Sequence, residues 1–255
     1  MDTTVDESKK VYAIVLTYDA NLIFVDNLLF KMRKLWPDSN LIYRVPYNDN
    51  KPDYLLEKYN DLNIELIQTP KSIKLTVLTL IESLDIESWI YWCIDDKFPI
   101  YINRKKVNKI FSWINSNQDT NISGVSFSRA RRFKSKINLE EKEISIYNKI
   151  KLIKKKSIKI QFWTHQFLKV KILKTVFSAF PDYDFAAKKM DTYIKNVEID
   201  SEQEFYVTKD NYVVFCESAS RGIATQNLKR SLKDSKISNY SNKNFNKKDI
   251  IIGRV

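Results

Sequence analysis

Two adjacent carboxylates, Asp95 and Asp96, follow a run of apolar residues that has the features of a buried strand. The run, Trp89–Ile94, is rich in aromatic and β-branched side chains and lacks helical spacing, which is typical of a strand inside a parallel sheet. In open α/β folds, ligands bind at the carboxyl ends of such strands. Adjacent carboxylates repel each other, and their oxygens are suited to Mg²⁺ or Mn²⁺ bridging to phosphate. The alternative is that the pair opens a solvated turn, because aspartate is a common turn residue.

The elements that must position this pair alternate along the first half of the chain. The predicted strands are Val11–Thr17, Leu41–Val45, Ile64–Gln68 and Trp89–Ile94, and the predicted helices are Asn21–Trp36, Pro52–Tyr59, Ser72–Leu84 and Asn103–Asn115. Ser72 is a plausible N-cap of its helix. Strand–helix units in this order predict an α/β fold with a parallel sheet and right-handed crossovers.

The pattern changes in the second half of the chain. Predicted there are a strand at Ile122–Phe127, two or three antiparallel strands within Lys136–Gln161, a helix at Val170–Phe180, and short strands at Glu204–Val207 and Tyr212–Phe215. From Gln226 to Lys248 the chain is rich in lysine, serine and asparagine, which predicts a mobile segment.

Composition excludes several classes of protein. With 255 residues, 44% hydrophobic and 13% aromatic, the chain is not mainly disordered and can bury a sizeable core. Its three glycines, Gly124, Gly222 and Gly253, are too far apart for a glycine-rich phosphate loop. This argues against a dinucleotide-binding dehydrogenase and a P-loop NTPase. Any phosphate must be held by a metal, by lysine and arginine, or by helix N-termini.

The net charge of +12 leaves three explanations open. It could attract nucleic acid, but none of the common nucleic-acid-binding motifs is present, so nucleic acid is not the expected partner. It could attract acidic headgroups or a sugar nucleotide, or it could reflect biased genomic composition.

The cysteines and the N-terminal segment indicate in which cellular compartment the protein is expected. Cys93 and Cys216 lie far apart in apolar runs, as expected for reduced thiols rather than a disulfide framework. The polar segment Met1–Lys10 is unlike a signal peptide, and no stretch approaches the roughly 20 apolar residues of a membrane helix. We therefore expect a cytoplasmic protein, with peripheral association at the inner face of the membrane as the closest contact with lipid.

Polar residues after the other predicted strands would meet the acid pair at the same edge of the sheet. They are Thr17, Tyr18 and Asp19 after the first strand, Tyr47, Asn48 and Asp49 after the second, and Lys71 and Lys74 near the end of the third. Those after the first strand could hold a nucleobase and ribose, and the lysines could meet phosphate. A solvated helix face is the alternative for the lysines.

Two further features could bind a ligand or be structural. The densest arginine cluster, beyond the fifth predicted strand, could bind phosphate, an acidic sugar or a lipid-linked diphosphate, or form a plain surface patch. Its members are Arg129, Arg131, Arg132 and Lys134. His165, flanked by Trp163 and Phe167, is expected to be a packed structural histidine.

Three segments in this order resemble bacterial GT-A glycosyltransferases of the kind found in surface polysaccharide and lipopolysaccharide gene clusters. Ala13–Asp19 resembles the first nucleotide-binding strand with its loop, and Ile90–Phe98 resembles an apolar strand ending in a DxD-type acidic motif. Gln161–Trp163, followed by Pro181–Phe185, resembles a strand–helix segment leading to an acidic–aromatic motif.

The resemblance implies a GT-A-like, Rossmann-like fold: a mainly parallel central sheet flanked by helices, with an antiparallel extension on the acceptor side. It implies one catalytic domain over residues 1–225, followed by a polar, basic tail at 226–255. The nucleotide-binding part would cover about 11–116 and the acceptor part about 117–225.

The implied activity is transfer of a sugar from a nucleoside-diphosphate sugar to a glycan or lipid-linked acceptor, with inversion. Mn²⁺ or Mg²⁺ would bind at Asp95 and Asp96, and Asp95 would also contact the donor. Asp184 is the first candidate for the general base, with Asp182 and Glu202 behind it. The alternative for each of these three acids is a helix cap or a surface position.

Two departures from the family pattern bear on these roles. Lys97 stands where family members often have an acidic or apolar residue, and it could pair with the diphosphate or partly replace the cation. Ala186 stands where a second acid is common, which leaves Asp184 as the retained acid. The rival interpretations are a non-catalytic basic binding module, a nucleotidyltransferase, and a glycosyltransferase that has lost activity.

Overall fold

The structure is a computed structural model that describes residues 10–116, 119, 121–127, 139–146, 150–155, 162–220, 223–234, 245–246 and 251–252. The strands are β1 (Val11–Leu16), β2 (Leu41–Tyr47), β3 (Asn63–Gln68), β4 (Trp89–Ile94), β5 (Lys97–Ile102), β6 (Ile122–Ser126), β7 (Leu139–Ile146), β8 (Ile150–Lys155), β9 (Gln166–Lys169), β10 (Glu204–Thr208), β11 (Val213–Glu217), β12 (Ala219–Ser220), β13 (Ile223–Thr225), β14 (Phe245–Asn246) and β15 (Ile251–Ile252). The α-helices are α1 (Leu22–Leu35), α2 (Tyr54–Lys58), α3 (Ile73–Ile81), α4 (Arg104–Ser116), α5 (Val170–Ser178), α6 (Met190–Ile194) and α7 (Gln226–Asp234).

A nine-stranded sheet in the order β3-β2-β1-β4-β9-β6-β10-β8-β7 forms the centre of the molecule. Strands β3, β2, β1 and β4 pair in parallel, as the predicted strand–helix units require. Strand β9 lies antiparallel between β4 and β6, and β8 lies antiparallel between β10 and β7. Because β6 pairs in parallel with β10, every strand of this sheet except β9 and β8 runs in one direction. The predicted α/β fold, with a mainly parallel sheet flanked by helices, is confirmed.

Helices cover both faces of this sheet, and a separate apolar core fills each side. One core joins α1, α4 and α7 to side chains such as Tyr91 and Phe167, and the other joins α3 and α5 to side chains such as Trp92. Strand β4 is fully buried because alternate residues enter the two cores, which explains its continuous apolar sequence.

One of the three glycines, Gly124 in β6, is required by packing. A Cβ at this position would lie 2.4 Å from the Phe205 ring, so the residue admits the close approach of β10 and has no phosphate-loop role.

Two of the elements that differ from the sequence-based prediction are β5 and α7. The residues after the acid pair form β5, which leaves the main sheet and pairs antiparallel with β11. The segment predicted to be mobile from Gln226 begins instead with α7, where Leu228 and Leu232 are buried. Hydrophobic residues four apart lie on one helical face, and this pattern outweighs the polar composition around them.

Two further expectations concern the arginine cluster and membrane-spanning helices. The cluster formed by Arg129, Arg131, Arg132 and Lys134 lies outside the described residues. In the part of the chain that the structure covers, no helix is long and apolar enough to cross a membrane.

Candidate functional site

Two predicted site residues, Thr17 and Asp95, meet at the carboxyl ends of β1 and β4, which are neighbours in the sheet. The Thr17 hydroxyl donates a hydrogen bond of 2.7 Å to Asp95 Oδ2, and both side chains are buried. Burial, with the charge of Asp96 next to it, raises the pKa of Asp95 to about 7 despite this hydrogen bond. The acid pair does form a turn, but Asp95 is not solvated, so the interpretation as a plain surface turn does not hold for this residue.

Asp96 differs from Asp95 because its charge has a cationic partner. The Lys97 ammonium lies 3.3 Å from Asp96 Oδ1 and 3.2 Å from Glu217 Oε1. Pairing of β5 with β11 places Lys97 directly opposite Glu217, and the Ser218 N–H donates to the Asp96 carbonyl at 2.5 Å. The side chain of Lys97 is only 7% exposed, whereas that of Asp96 is 33% exposed and can be reached by a ligand.

His165 holds the acid turn from the protein interior. Its Nε2 lies 3.1 Å from the Lys97 carbonyl oxygen and 3.4 Å from that of Ile94, and its Nδ1 lies 3.3 Å from the Tyr91 hydroxyl. Complete burial lowers the pKa of His165 to about 3, so the imidazole is neutral. Because Nε2 faces carbonyl oxygens, it carries the proton and Nδ1 accepts from Tyr91. The prediction of a packed structural histidine is confirmed.

Asp19, predicted to bind ribose or base, caps a neighbouring loop. Its carboxylate accepts hydrogen bonds from three successive backbone N–H groups, those of Asn48 (2.7 Å), Asp49 (2.9 Å) and Asn50 (3.0 Å). Desolvation alone would raise the pKa of Asp19, but these donors and the nearby Lys71 lower it. The side chain therefore joins the loops after β1 and β2.

Asn48 continues this connection to the loop after β3. Its side-chain amide donates to the carbonyl oxygens of Thr69 (3.1 Å) and Pro70 (3.3 Å). Lys71 pairs at 2.6 Å with the exposed Asp49. Tyr18, by contrast, is 54% exposed beside the Thr17–Asp95 pair, where its ring is open to a ligand.

A second acidic group, Asp182 and Asp184, lies at the same edge of the sheet. Strand β9 ends at the amino edge of the sheet, where Lys169 pairs with Trp89. Helix α5 then runs back toward the carboxyl edge, and Phe180 follows the helix. The Lys74 ammonium, at the start of α3, donates to the Phe180 carbonyl (2.8 Å) and to Asp182 Oδ1 (2.6 Å).

Both acids of this second group face solvent. The Asp182 side chain is 93% exposed, and Asp184 is also exposed. Asp184 has no polar partner among the residues that the structure describes, so its carboxylate is available to an acceptor.

The third candidate base, Glu202, lies at the amino edge of the sheet, opposite the edge that carries Asp95 and Asp96. It precedes β10, in which Phe205 lies level with Gly124, Leu168 and Ile90 across the sheet. Asp95 follows Ile90 by five residues, or about 16 Å along the strand direction. Glu202 lies farther still toward the amino edge, and we therefore do not retain it as a candidate base.

Sequence reasoning missed Glu217. The signal was available, because β11 is an apolar strand that ends in an acid, much as the apolar β4 is followed directly by one. What the sequence does not show is the pairing of β11 with β5, which brings this acid to Lys97.

The residues fit a divalent cation held partly by a ligand, not a closed protein site. No group of three or more potential ligands forms a metal site among the described residues. Asp96 offers a partly exposed carboxylate, and Glu217 lies within reach of the same ammonium. The buried hydroxyl of Ser218, which follows Glu217 in the chain, has no hydrogen-bond partner among the residues that the structure describes. Mg²⁺ and similar ions commonly use one or two carboxylates and complete their shell with phosphate oxygens and water.

Comparison with known proteins identifies the fold. No protein-family model and no curated protein matches the chain. Among solved structures, it is similar to S. aureus TarS 1-349 with a TM-score of 0.50 and 14% identity, over 80% of this chain and 59% of that one. A second S. aureus TarS structure gives a TM-score of 0.50 and 14% identity, over 89% of this chain and 39% of that one. The mannosyltransferase PcManGT from Pyrobaculum calidifontis, in complex with GDP-Man and Mn²⁺, gives a TM-score of 0.44 and 13% identity, over 84% and 58% of the two chains.

The chain has the GT-A glycosyltransferase fold. It spans less than two thirds of the length of both TarS chains, and at these identities the similarity concerns the fold alone. Function must be argued from the site.

Proposed function

We propose that this protein is a glycosyltransferase that moves a sugar from a nucleoside-diphosphate sugar to a glycan or lipid-linked acceptor. The observation that carries the proposal is the acid turn: in a GT-A fold, Asp95 and Asp96 lie at the carboxyl end of β4, held by Thr17, Lys97 and His165. Structural turns do not need a buried carboxylate with a raised pKa, whereas binding sites often have one.

The donor side of the proposed site lies at the ends of β1–β4, within residues of about 11–116. The exposed Tyr18 ring can stack on the nucleobase. Asp19 and Asn48 contribute by fixing the loops around it, because their polar atoms are already engaged by backbone groups. Lys71 is exposed and can exchange Asp49 for a phosphate oxygen.

Asp96, assisted by Asp95, would hold Mn²⁺ or Mg²⁺ together with the donor diphosphate. When bound there, the cation would neutralise the charge that develops on the departing diphosphate. The Thr17 hydroxyl fixes the orientation of Asp95, and His165 fixes the backbone on either side of the pair. The site is therefore preorganised before the donor arrives.

The acceptor side would lie within residues of about 117–225, with Asp184 as the general base. The Asp184 carboxylate is exposed and has no polar partner in the described part of the chain, so it can accept the proton of the attacking hydroxyl group. Direct attack of this group on the donor inverts the anomeric centre. Asp182 is the weaker candidate because Lys74 already neutralises it. Peripheral association with a membrane would accompany this role if the acceptor is lipid-linked.

A thermal-shift screen with UDP, GDP, CDP and dTDP, each with and without Mn²⁺, tests the proposal. Binding to the native state raises the melting temperature by mass action, so we expect one nucleotide to stabilise the protein, and to do so more strongly with Mn²⁺. The absence of any shift with all four would remove the donor site and favour a non-catalytic binding module. A shift followed by release of diphosphate from a nucleoside triphosphate would favour a nucleotidyltransferase.

A further inference from the structure

The burial of Lys97 is the least expected feature of the site. Lysine rarely loses its contact with water unless carboxylates compensate the charge. Here the ammonium lies between two acids, 3.3 Å from Asp96 and 3.2 Å from Glu217, and its side chain is 7% exposed.

This arrangement is fixed by the backbone. Lys97 begins β5 and lies opposite Glu217, the last residue of β11, while the Ser218 N–H binds the Asp96 carbonyl. The Lys97 carbonyl in turn accepts from His165. The ammonium therefore has a defined place between two carboxylates that lie at the same end of the β5–β11 pair.

The surroundings of the ammonium are those of a small cation site. The carboxylates of Asp96, in the turn before β5, and of Glu217, at the end of β11, face one positive charge. Oxygen ligands of this kind are what a hard divalent ion requires.

We infer that the Lys97 ammonium occupies the position of a divalent cation between Asp96 and Glu217, and that it competes with the metal for these two carboxylates. The inference rests on the proposed function, since it names what sets the cation dependence of the donor site. It makes Lys97 and Glu217 positioning residues: Lys97 keeps the acids compensated in the free protein, and Glu217 retains the ammonium when the donor brings a metal to Asp96.

Mn²⁺ binding to the nucleotide-free protein, measured by calorimetry, tests the inference without turnover. In Lys97→Met the competing charge is gone, so Mn²⁺ should bind about tenfold more tightly or better than in wild type. Lys97→Arg keeps the charge and should resemble wild type. Adding Glu217→Gln to Lys97→Met should remove the gain, because one of the two carboxylates is lost.

Three results would overturn it. The first is Lys97→Met binding Mn²⁺ no more tightly than wild type, the second is Lys97→Arg binding as tightly as Lys97→Met, and the third is a gain that survives Glu217→Gln. A failure of every nucleotide in the thermal-shift screen would instead remove the proposed function and leave these metal affinities to be interpreted by themselves.

A stability measurement covers the case in which Lys97→Met folds poorly. Without metal, the variant leaves two carboxylates uncompensated and should melt below wild type, and Mn²⁺ should raise its melting temperature more than that of wild type. Lys97→Gln, which keeps a polar side chain, provides a second test of the same kind. Equal Mn²⁺-induced shifts in wild type and both variants would contradict the inference.

Discussion

The two acidic groups at the carboxyl edge of the sheet differ in their burial and in the partners that hold them. Asp95 and Asp96 are held by a hydroxyl group, an ammonium and, through the backbone, an imidazole, and their neighbours are buried. Asp182 and Asp184 are exposed to solvent, and among the described residues only Lys74 forms an ion pair with the first of them.

This difference separates two requirements of a transferase. A diphosphate leaving group needs fixed charges, because preorganisation lowers the cost of stabilising the charge that develops. An acceptor needs an accessible base and room to enter. The rigid acid turn suits the first requirement, and the open acids after α5 suit the second.

The two lysines that pair with these groups provide the largest expected contrast, in stability. Lys97→Met removes the partner of two partly buried carboxylates and should lower the free energy of unfolding by about 3 kcal/mol in the absence of metal. Lys74→Met breaks an ion pair whose acid is 93% exposed and one bond to a carbonyl group, so about 1 kcal/mol or less is expected. Urea denaturation of both variants measures the difference. Equal losses would show that the two acidic groups are not distinct in burial.

The next effect is on turnover. Asp184→Asn keeps the shape of the side chain but cannot accept a proton, so turnover should fall about a hundredfold or more while donor affinity stays near wild type. Asp182→Asn is the matched control and should cost much less, since its carboxylate is already paired with Lys74. Steady-state kinetics with calorimetry on the donor measures both quantities.

The opposite ranking of these two variants would move the base to Asp182 and leave the class of enzyme unchanged. Full activity in both would show that no base comes from this segment, and a retaining mechanism would then account better for the transfer.

Because His165 is buried in its neutral form, the free energy of unfolding should depend on pH. Its pKa is about 3 in the folded protein, below the ordinary value near 6.5, so the unfolded chain binds more protons as the pH falls. Its contribution to stability is present above about pH 6.5 and is lost as the pH decreases, by about 2 to 3 kcal/mol at about pH 4.5. Gln can donate to the same carbonyl oxygens without titrating, so His165→Gln should flatten the decline in unfolding free energy by this amount. Parallel pH profiles for both proteins would show that His165 is not buried in the neutral form.

Much of the donor side was predictable because its signals are local. The apolar runs that become β1, β2, β3 and β4 alternate with helical spacing, and the edge where their ends meet follows from parallel pairing. Thr17 and Asp95 were placed together on this reasoning, and the structure joins them by a hydrogen bond.

What the sequence does not show depends on long-range pairing. Glu217 is 120 positions from Lys97 in the chain, and only the β5–β11 register brings the two together. The position of Glu202 in the sequence does not show its edge of the sheet, which the direction of β10 sets opposite the acid turn. The sequence predicts a ligand contact for Asp19, and the structure adds that its oxygens cap a loop whose backbone geometry no local pattern encodes.

The most direct test of the account is calorimetry of the stabilising nucleoside diphosphate, with and without Mn²⁺, on wild type, Asp96→Ala and Asp184→Asn. We predict that Mn²⁺ strengthens nucleotide binding to wild type and to Asp184→Asn by about tenfold or more, and that Asp96→Ala loses most of this gain while remaining folded. This result would place the donor at the acid turn and the acceptor chemistry elsewhere. Equal nucleotide affinity in wild type and Asp96→Ala, with the same response to Mn²⁺, would contradict the central claim that the donor binds at Asp95 and Asp96.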